Sequence, residues 1–184
     1  MPRSTELAHL LIRPRLQPGD CAIDATLGNG HDAIFLARLV GEAGRVWAFD
    51  PQPAAHAAAM GEFKAQGMDP GRVTFLQAGH ETMAEHVTDG IHAIMFNLGY
   101  LPGGDKSYTT RTPTTLTALH AAVGLLARGG VLTVVAYPGH AGGDEEGVAA
   151  AALLAELPTP WKVYRYESLN AKRPAPYLLV AERE

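Results

Sequence analysis

A glycine-rich stretch between two carboxylates, residues 24–32 with the sequence DATLGNGHD, is the first place in the chain where residue types and spacing suggest chemistry. Gly28 and Gly30 permit a tight turn and a close approach of the backbone to a ligand. The N–H groups and dipole of a following helix favour a carboxylate or a phosphate there. Gly28-x-Gly30-x-x-Ala33, with Asp50 further along, also satisfies the loose dinucleotide-binding fingerprint. The stretch predicts a nucleotide-type ligand and leaves its class open.

Two acidic residues narrow that class. Asp24 stands four positions before Gly28, where its carboxylate can face the ammonium group of an amino-acid moiety. A nicotinamide dinucleotide offers no such cation. Asp50 ends a predicted strand, and a carboxylate there can accept hydrogen bonds from two ribose hydroxyls, which both ligand classes offer. The pair favours S-adenosylmethionine, while a nicotinamide-dependent oxidoreductase and a glycine turn that only caps a helix are the alternatives.

A second group of residues, 97–107 with the sequence NLGYLPGGDKS, follows the fourth predicted strand. The amide side chain of Asn97 can accept a hydrogen bond from a substrate amino group and orient it. The aromatic face of Tyr100 can stack on a base. The glycines and prolines could serve only to form turns, but long loops of this kind are usually functional. Asn97 and Tyr100 are therefore the predicted catalytic residues.

Three histidines, His31, His80 and His140, lie near these segments and raise the question of a metal. Their surroundings lack the compact His, Cys and Asp spacing that is typical of zinc sites. We predict that no metal is bound and that these side chains form hydrogen bonds in the pocket.

The elements that must position these residues alternate between strands and helices. Strands are predicted at 21–25, 45–49, 73–76, 91–96, 131–137, 161–167 and 177–181, and helices at 4–11, 32–40, 54–66, 81–87, 113–128 and 144–157. This βαβ alternation indicates an α/β fold with a parallel sheet covered by helices on both faces. No helix separates the last two strands, which predicts that they pair antiparallel. Residues 1–184 are predicted to form one domain.

Ligands of such sheets bind beyond the carboxyl ends of the strands, near the point where the strand order reverses. The informative segments are therefore those that follow strands: 24–32, 50–52, 78–80, 97–106 and 138–140.

The composition limits the classes of partner and compartment. The net charge of −4 does not suggest a general nucleic-acid binder, although local basic patches at Arg3, Arg13 and Arg15, at Lys106 and Arg111, and at Lys172 and Arg173 are compatible with it. The single cysteine, Cys21, has no partner for an internal disulfide. There is no membrane-spanning apolar run and no signal-peptide pattern at the start. These features predict a cytoplasmic protein.

The motifs together resemble the YtqB/MnmM family of methyltransferases. The resemblance is carried by DATLGNGHD at 24–32, by AFD at 48–50 with Gln52, and by FNLGYLPGGDKS at 96–107 with Thr109 and Thr110. Tyr137, Gly139, His140, the Gly142–Gly143 pair and Glu146 are similar to the next block of the family. The block that begins at Asn97 is the specific one, because the glycine motif occurs in many nucleotide-binding proteins.

The resemblance implies a Rossmann-like class I methyltransferase: a mostly parallel seven-stranded sheet with an antiparallel last strand, and S-adenosylmethionine as cofactor. Members have been labelled rRNA methylases, and the better-defined ones methylate the aminomethyl nitrogen of a modified wobble uridine, of the 5-aminomethyl-2-thiouridine type, in tRNA. The implied partner is thus the anticodon region of tRNA, with no membrane and with a homodimer as the candidate assembly. An rRNA or small-amine substrate is an alternative on the same fold, and a non-catalytic nucleotide-binding module is a further one.

The resemblance, with the reasoning above, also assigns site residues. The predicted cofactor-binding residues are Asp24, Gly28, Asn29, Gly30, Asp32, Asp50, Gln52, His80 and Asn97. The predicted substrate-binding residues are Leu98, Gly99, Gly103, Gly104, Lys106 and His140. Asn97 would lie between the methyl donor and its acceptor.

Overall fold

The computed structural model describes residues 2–88, 90–101, 103, 109–139 and 142–184. The strands are β1 (Cys21–Asp24), β2 (Arg45–Phe49), β3 (Val73–Leu76), β4 (Ile91–Asn97), β5 (Leu126–Ala136), β6 (Trp161–Tyr166) and β7 (Tyr177–Arg183). The helices are α1 (Ser4–Ile12), α2 (His31–Val40), α3 (Pro53–Ala65), α4 (Met83–His86), α5 (Thr112–Leu125) and α6 (Gly143–Ala155). Short 3₁₀ turns at Pro70–Arg72 and His80–Thr82 precede β3 and α4.

The seven strands form one sheet in the order β3-β2-β1-β4-β5-β7-β6. The pairs from β3 through β5 are parallel, and β7 runs antiparallel to both of its neighbours. The prediction of a mostly parallel sheet with an antiparallel last strand is therefore confirmed. The strand order reverses between β1 and β4, because β2 and β3 follow β1 on one side and β5 follows β4 on the other. The carboxyl ends of β1 and β4 therefore form the switch point where ligands bind in such folds.

Alternating side chains of the strands supply two cores, one on each face of the sheet. Ile23 and Ile94 point to the face that α4, α5 and α6 cover, whereas Ala22 and Ala93 point to the face that α1, α2 and α3 cover. All four side chains are fully buried. Burial on both faces explains why these strands read as continuous apolar runs in the sequence.

Most boundaries lie within two residues of the sequence-based prediction, and the larger differences lie around β5 and α4. Helix α5 ends at Leu125 rather than at residue 128, and β5 begins at Leu126 rather than at 131. Gly129, at a φ of 80°, lets the strand pass through an irregular stretch between the predicted helix end at 128 and the predicted strand start at 131. The predicted helix at 81–87 is a 3₁₀ turn followed by the four residues of α4.

Within the described parts of the chain, no helix has the length and apolar character needed to cross a bilayer.

Candidate active site

The turn after β1 lies between the carboxyl ends of β2 and β4. The Ala25 N–H donates to the carbonyl of Met95 at 2.8 Å, and the Leu27 N–H donates to the carbonyl of Phe49 at 2.9 Å. Gly28 and Gly30 have φ angles of 49° and 83°, a region that favours glycine. Gly30 is the N-cap residue, directly before the first residue of α2. The glycine turn thus sits at the switch point, as predicted.

Gly30 also has no room for a side chain, which gives a testable prediction. A Cβ at this position would lie 2.8 Å from the Cβ of Ala59 on α3. We expect Gly30→Ala to lower the free energy of unfolding by about 2–4 kcal/mol, because a left-handed backbone and overpacking both carry a cost. Urea denaturation checks this. The matched control is Gly67→Ala, which has a φ of 64° but open space around it; equal losses in the two variants would contradict the account.

Asp50 connects the end of β2 to the glycine turn. Its Oδ2 accepts from the Gly28 N–H at 3.2 Å, and its Oδ1 accepts from the Gln52 N–H at 2.9 Å. The side chain is buried. These two backbone donors hold the carboxylate at the end of β2, the position at which the sequence predicts a contact with the ribose.

Asp24 is fully buried at the end of β1. Its Oδ1 accepts from the Thr26 N–H at 3.1 Å, and the Ala33 N–H also acts on the carboxyl and lowers its pKa. Its Oδ2 makes no hydrogen bond of normal geometry with the described residues. Burial raises the pKa of this carboxyl well above its usual value, and the nearby Asp32 carboxylate raises the pKa further. An ionised carboxylate buried in this way is costly unless a cation or donor reaches it.

Three acidic side chains, those of Asp24, Asp32 and Asp50, meet at this edge of the sheet, and they fit the implied cofactor. Asp32 and Asp50 both act electrostatically on Asp24. S-adenosylmethionine carries a sulfonium and an ammonium, so it would bring positive charge to the buried carboxyl of Asp24. The diphosphate of a nicotinamide dinucleotide would bring negative charge to the same place, which is unfavourable at close range. The local electrostatics therefore favour the sulfonium cofactor.

His80 is buried against the first turn rather than exposed to solvent. Its Nδ1 contacts the carbonyl of Ala25 at 3.2 Å, and its Nε2 lies 3.5 Å from the Thr115 hydroxyl. Burial lowers the pKa of the imidazole, which favours the neutral ring with its proton on Nδ1. His80 thus stabilises the start of the glycine turn through the carbonyl of Ala25.

Asn97 ends β4 opposite the glycine turn. Its backbone N–H donates to the Thr26 hydroxyl at 2.7 Å, and its side-chain Nδ2 donates to Oδ2 of Asp32. Its Oδ1 is buried and has no hydrogen-bond partner among the described residues. An amide held by its nitrogen, with a free acceptor oxygen, is suited to receive an N–H group of a ligand.

The loop that follows Asn97 is anchored at its base by Glu146 of α6. The Gly99 N–H donates to the Thr110 hydroxyl at 2.9 Å, and that hydroxyl donates to Oε2 of Glu146 at 2.8 Å. Thr115 donates to the other oxygen of Glu146 at 2.6 Å. The two arms of the loop also meet in a bridge between Tyr100 and Thr109. Buried polar networks that are satisfied in this way fix a single local structure.

The other predicted site residues are distributed around this centre. Leu98 is buried, Gly99 and the side chains of Asn29 and Gln52 are half-buried, and Tyr100 and Gly103 are exposed. Gly104, Lys106 and His140 lie outside the described residues.

Sequence reasoning missed the contacts of His9, Thr26 and Thr115, because a lone histidine or threonine on a helix or turn gives no signal of its partner. Among the described residues, no group of three or more His, Cys, Asp or Glu side chains is placed to hold a metal ion.

The fold and this site define a class of protein, the S-adenosylmethionine-dependent methyltransferases with a Rossmann-like sheet. The particular family is given by comparison with known proteins. The family model described as "Putative rRNA methylase" matches residues 46–182, and the chain belongs to this family. Membership in a methylase family favours methyl transfer over the nicotinamide-dependent alternative.

Similar solved structures and a curated relative agree with this assignment. A putative rRNA methylase from Clostridium thermocellum is 38% identical with a TM-score of 0.95, over 100% of this chain and 99% of that one. A putative methyltransferase from Streptococcus mutans in complex with SAH is 34% identical with a TM-score of 0.89, over 100% of this chain and 99% of that one. The chloroplastic tRNA (mnm(5)s(2)U34)-methyltransferase of Arabidopsis thaliana is 36% identical over 97% of this chain and 68% of its own length.

Proposed function

We propose that this enzyme transfers a methyl group from S-adenosylmethionine to the aminomethyl nitrogen of a modified wobble uridine in tRNA. The observation that carries the proposal is the buried Oδ1 of Asn97, which has no hydrogen-bond partner in the part of the chain that the structure describes. It can therefore accept a hydrogen bond from an N–H donor beside the acidic cofactor site. The similarity to a plant tRNA methyltransferase that is named for this nucleoside supports the choice of amine.

The residues around the glycine turn would hold the cofactor. Asp24 would accept a hydrogen bond from the ammonium group with its free oxygen, and Asp50 would accept from the ribose hydroxyls. The turn at Gly28 and Gly30 keeps side-chain atoms away from the ligand. When bound, the sulfonium supplies an already activated methyl group, so the protein mainly has to bring donor and acceptor together.

The chain's own contribution to the reaction is alignment. Asn97 would accept an N–H of the substrate amine with Oδ1, which directs the lone pair of that nitrogen toward the donor. Holding reacting atoms about 3–3.5 Å apart in the correct orientation removes much of the entropic barrier. The amine must be unprotonated, because an ammonium has no lone pair. The exposed Tyr100 is proposed to stack on the base or ribose.

A groove that follows the carboxyl ends of β5 and β6, at the same edge of the sheet as the glycine turn, supports an RNA substrate over a small amine. It is lined by Arg165, Lys172 and Arg173 from β6 and the following loop, together with Asp144 and Glu167. Arg165 is paired with Glu167 at 2.6 Å, whereas Lys172 and Arg173 form no ion pair with another described residue. In a chain of net charge −4, free cations at the active edge offer a contact for RNA phosphates.

The function is tested by incubating the protein and labelled donor with tRNA from cells that lack this methylation, followed by nucleoside mass spectrometry. We expect the methylated aminomethyl uridine from hypomodified tRNA and no product from tRNA that lacks the aminomethyl group. Label in rRNA, or in free amines alone, would assign the alternative substrate and overturn the proposal.

The raised pKa of Asp24 predicts that cofactor affinity rises with pH. Without ligand, this carboxyl keeps its proton to a higher pH than usual because it is buried and faces the carboxylates of Asp32 and Asp50. An ammonium bound beside it favours the ionised form, so binding releases a proton, and affinity should increase by up to about tenfold per pH unit below the pKa of the free protein. Calorimetry with SAH between about pH 5 and 7.5, in two buffers, measures both effects. A pH-independent affinity would contradict the assignment of Asp24.

A further inference from the structure

Helix α1 brings a histidine into the active site that the function described so far does not use. The Nε2 of His9 lies 2.6 Å from Oδ1 of Asp32. The ring is stacked on Phe35 of α2, with 3.8 Å between centroids and 3° between planes. The side chain is only 28% exposed. His9 is thus fixed from two directions, by a ring contact and by a hydrogen bond to a buried carboxylate.

The same carboxylate holds the amide of Asn97. One oxygen of Asp32 faces His9, and the other accepts from Nδ2 of Asn97. A carboxylate oxygen can only accept, so it selects the amide orientation that places the Asn97 nitrogen toward Asp32 and leaves the Asn97 Oδ1 facing away from it. Rotation of the amide by half a turn would set two acceptor oxygens against each other. The direction of the free Oδ1 therefore depends on where Asp32 is held.

We propose that His9 is a positioning residue for methyl transfer: through Asp32 it fixes the amide of Asn97 so that Oδ1 points at the acceptor amine. The identity of that amine rests on the proposed function, but the His9–Asp32–Asn97 connection does not. A charge-assisted hydrogen bond of this kind orients its partner strongly. Among the described residues, His9 forms no hydrogen bond with Asp24, Asp50 or the glycines of the turn, and it reaches the site only through Asp32. Its loss should therefore affect the reaction much more than cofactor binding.

Two substitutions separate the two contacts of His9. His9→Phe keeps a ring that can stack on Phe35 but removes the N–H donor to Asp32. His9→Gln loses the ring but places an amide N–H near the position of Nε2. We expect kcat to fall about 10- to 100-fold in His9→Phe and less than about threefold in His9→Gln, with the KM for tRNA and the affinity for SAH nearly unchanged in both. The control is His120→Phe, at an exposed position of α5.

A second readout needs no substrate. In ¹⁵N-labelled protein, the side-chain amide signals of Asn97, assigned with the Asn97→Asp variant, should shift in His9→Phe and stay near the wild-type position in His9→Gln. A purely structural role for His9 predicts the reverse order, with His9→Gln the more damaged in both stability and kcat, and that order would overturn the proposal. Unshifted Asn97 signals in a folded His9→Phe would overturn it as well. If wild-type protein methylates no tRNA, the proposed function fails, and the amide signals still decide the role of His9.

Discussion

Replacement of Asn97 by alanine is expected to lower kcat by about 100- to 1,000-fold, while the dissociation constant for SAH changes less than about threefold. Removal of a single preorganised polar group that orients or stabilises a reacting centre has effects of this size. The reason is that different residues of the site are proposed to hold the cofactor and to orient the acceptor amine. The Asn97 side chain contacts Asp32 with its nitrogen, and its buried oxygen has no hydrogen-bond partner among the described residues. Asp24 and Asp50, the carboxylates proposed to contact the ammonium and the ribose, are instead held by backbone N–H groups.

Single-turnover kinetics with saturating cofactor measure the chemical step, and calorimetry with SAH measures binding. Asn97→Asp is a useful second variant, because its carboxylate would face that of Asp32 and should be as inactive as the alanine variant. Gln66→Ala, which truncates an exposed amide next to the end of α3, serves as the control. A parallel loss of SAH affinity and kcat would instead make Asn97 a cofactor residue, and an unchanged kcat would remove it from the site.

Asp24→Asn should have the largest effect on cofactor binding, with a weakening of about 100-fold or more. Truncating or neutralising one partner of a buried charge pair costs about 2–5 kcal/mol. In the absence of cofactor, the Asp24→Asn protein should not show the loss of folding stability with rising pH that Asp24 causes in the wild type. The folded-state pKa of Asp24 is raised above its unfolded value, so the stability it contributes is present at low pH and is lost as pH rises through the folded-state pKa. The asparagine removes that loss.

At neutral pH, Asp24→Asn is therefore expected to weaken SAH binding while its resistance to urea stays equal to that of the wild type or increases. The matched control is Asp20→Asn, one residue before β1 begins, where the carboxylate accepts from the Gln17 N–H at 2.7 Å at the opposite end of the same strand. It should leave cofactor binding unchanged. If Asp24→Asn bound SAH like the wild type, Asp24 would have no role in holding the ammonium.

The sequence was sufficient to predict those parts of the fold that depend on local patterns. Apolar runs with β-branched residues located every strand, and the glycines after β1 marked the turn because their left-handed backbone conformations require that residue type. Asp50 could be assigned because the carboxyl end of a parallel strand has a known relation to the ligand. Local pattern was also wrong in one place, because it extended the fifth helix to 128 and began the next strand at 131, whereas β5 begins at Leu126.

The contacts that complete the site were beyond the sequence, because they join residues far apart in the chain. His9 lies 23 positions before Asp32, and Thr115 lies 31 positions before Glu146. Neither histidine nor threonine on a helix reveals which buried carboxylate it will meet. The burial of Asp24 beside two other carboxylates likewise follows from the parallel arrangement of β1, β2 and β4, and only the assembled sheet shows its electrostatic consequence.

We propose above all that the carboxyl ends of β1, β2 and β4 hold the methyl donor, with Asn97 facing its methyl group. A crystal structure of the complex with SAH tests it most directly. We expect the ammonium within hydrogen-bonding distance of Asp24, the ribose hydroxyls on Asp50, and the sulfur on the side of the cleft where the Oδ1 of Asn97 lies. A nucleoside bound at another edge of the sheet, or an amino-acid moiety directed away from Asp24, would contradict it.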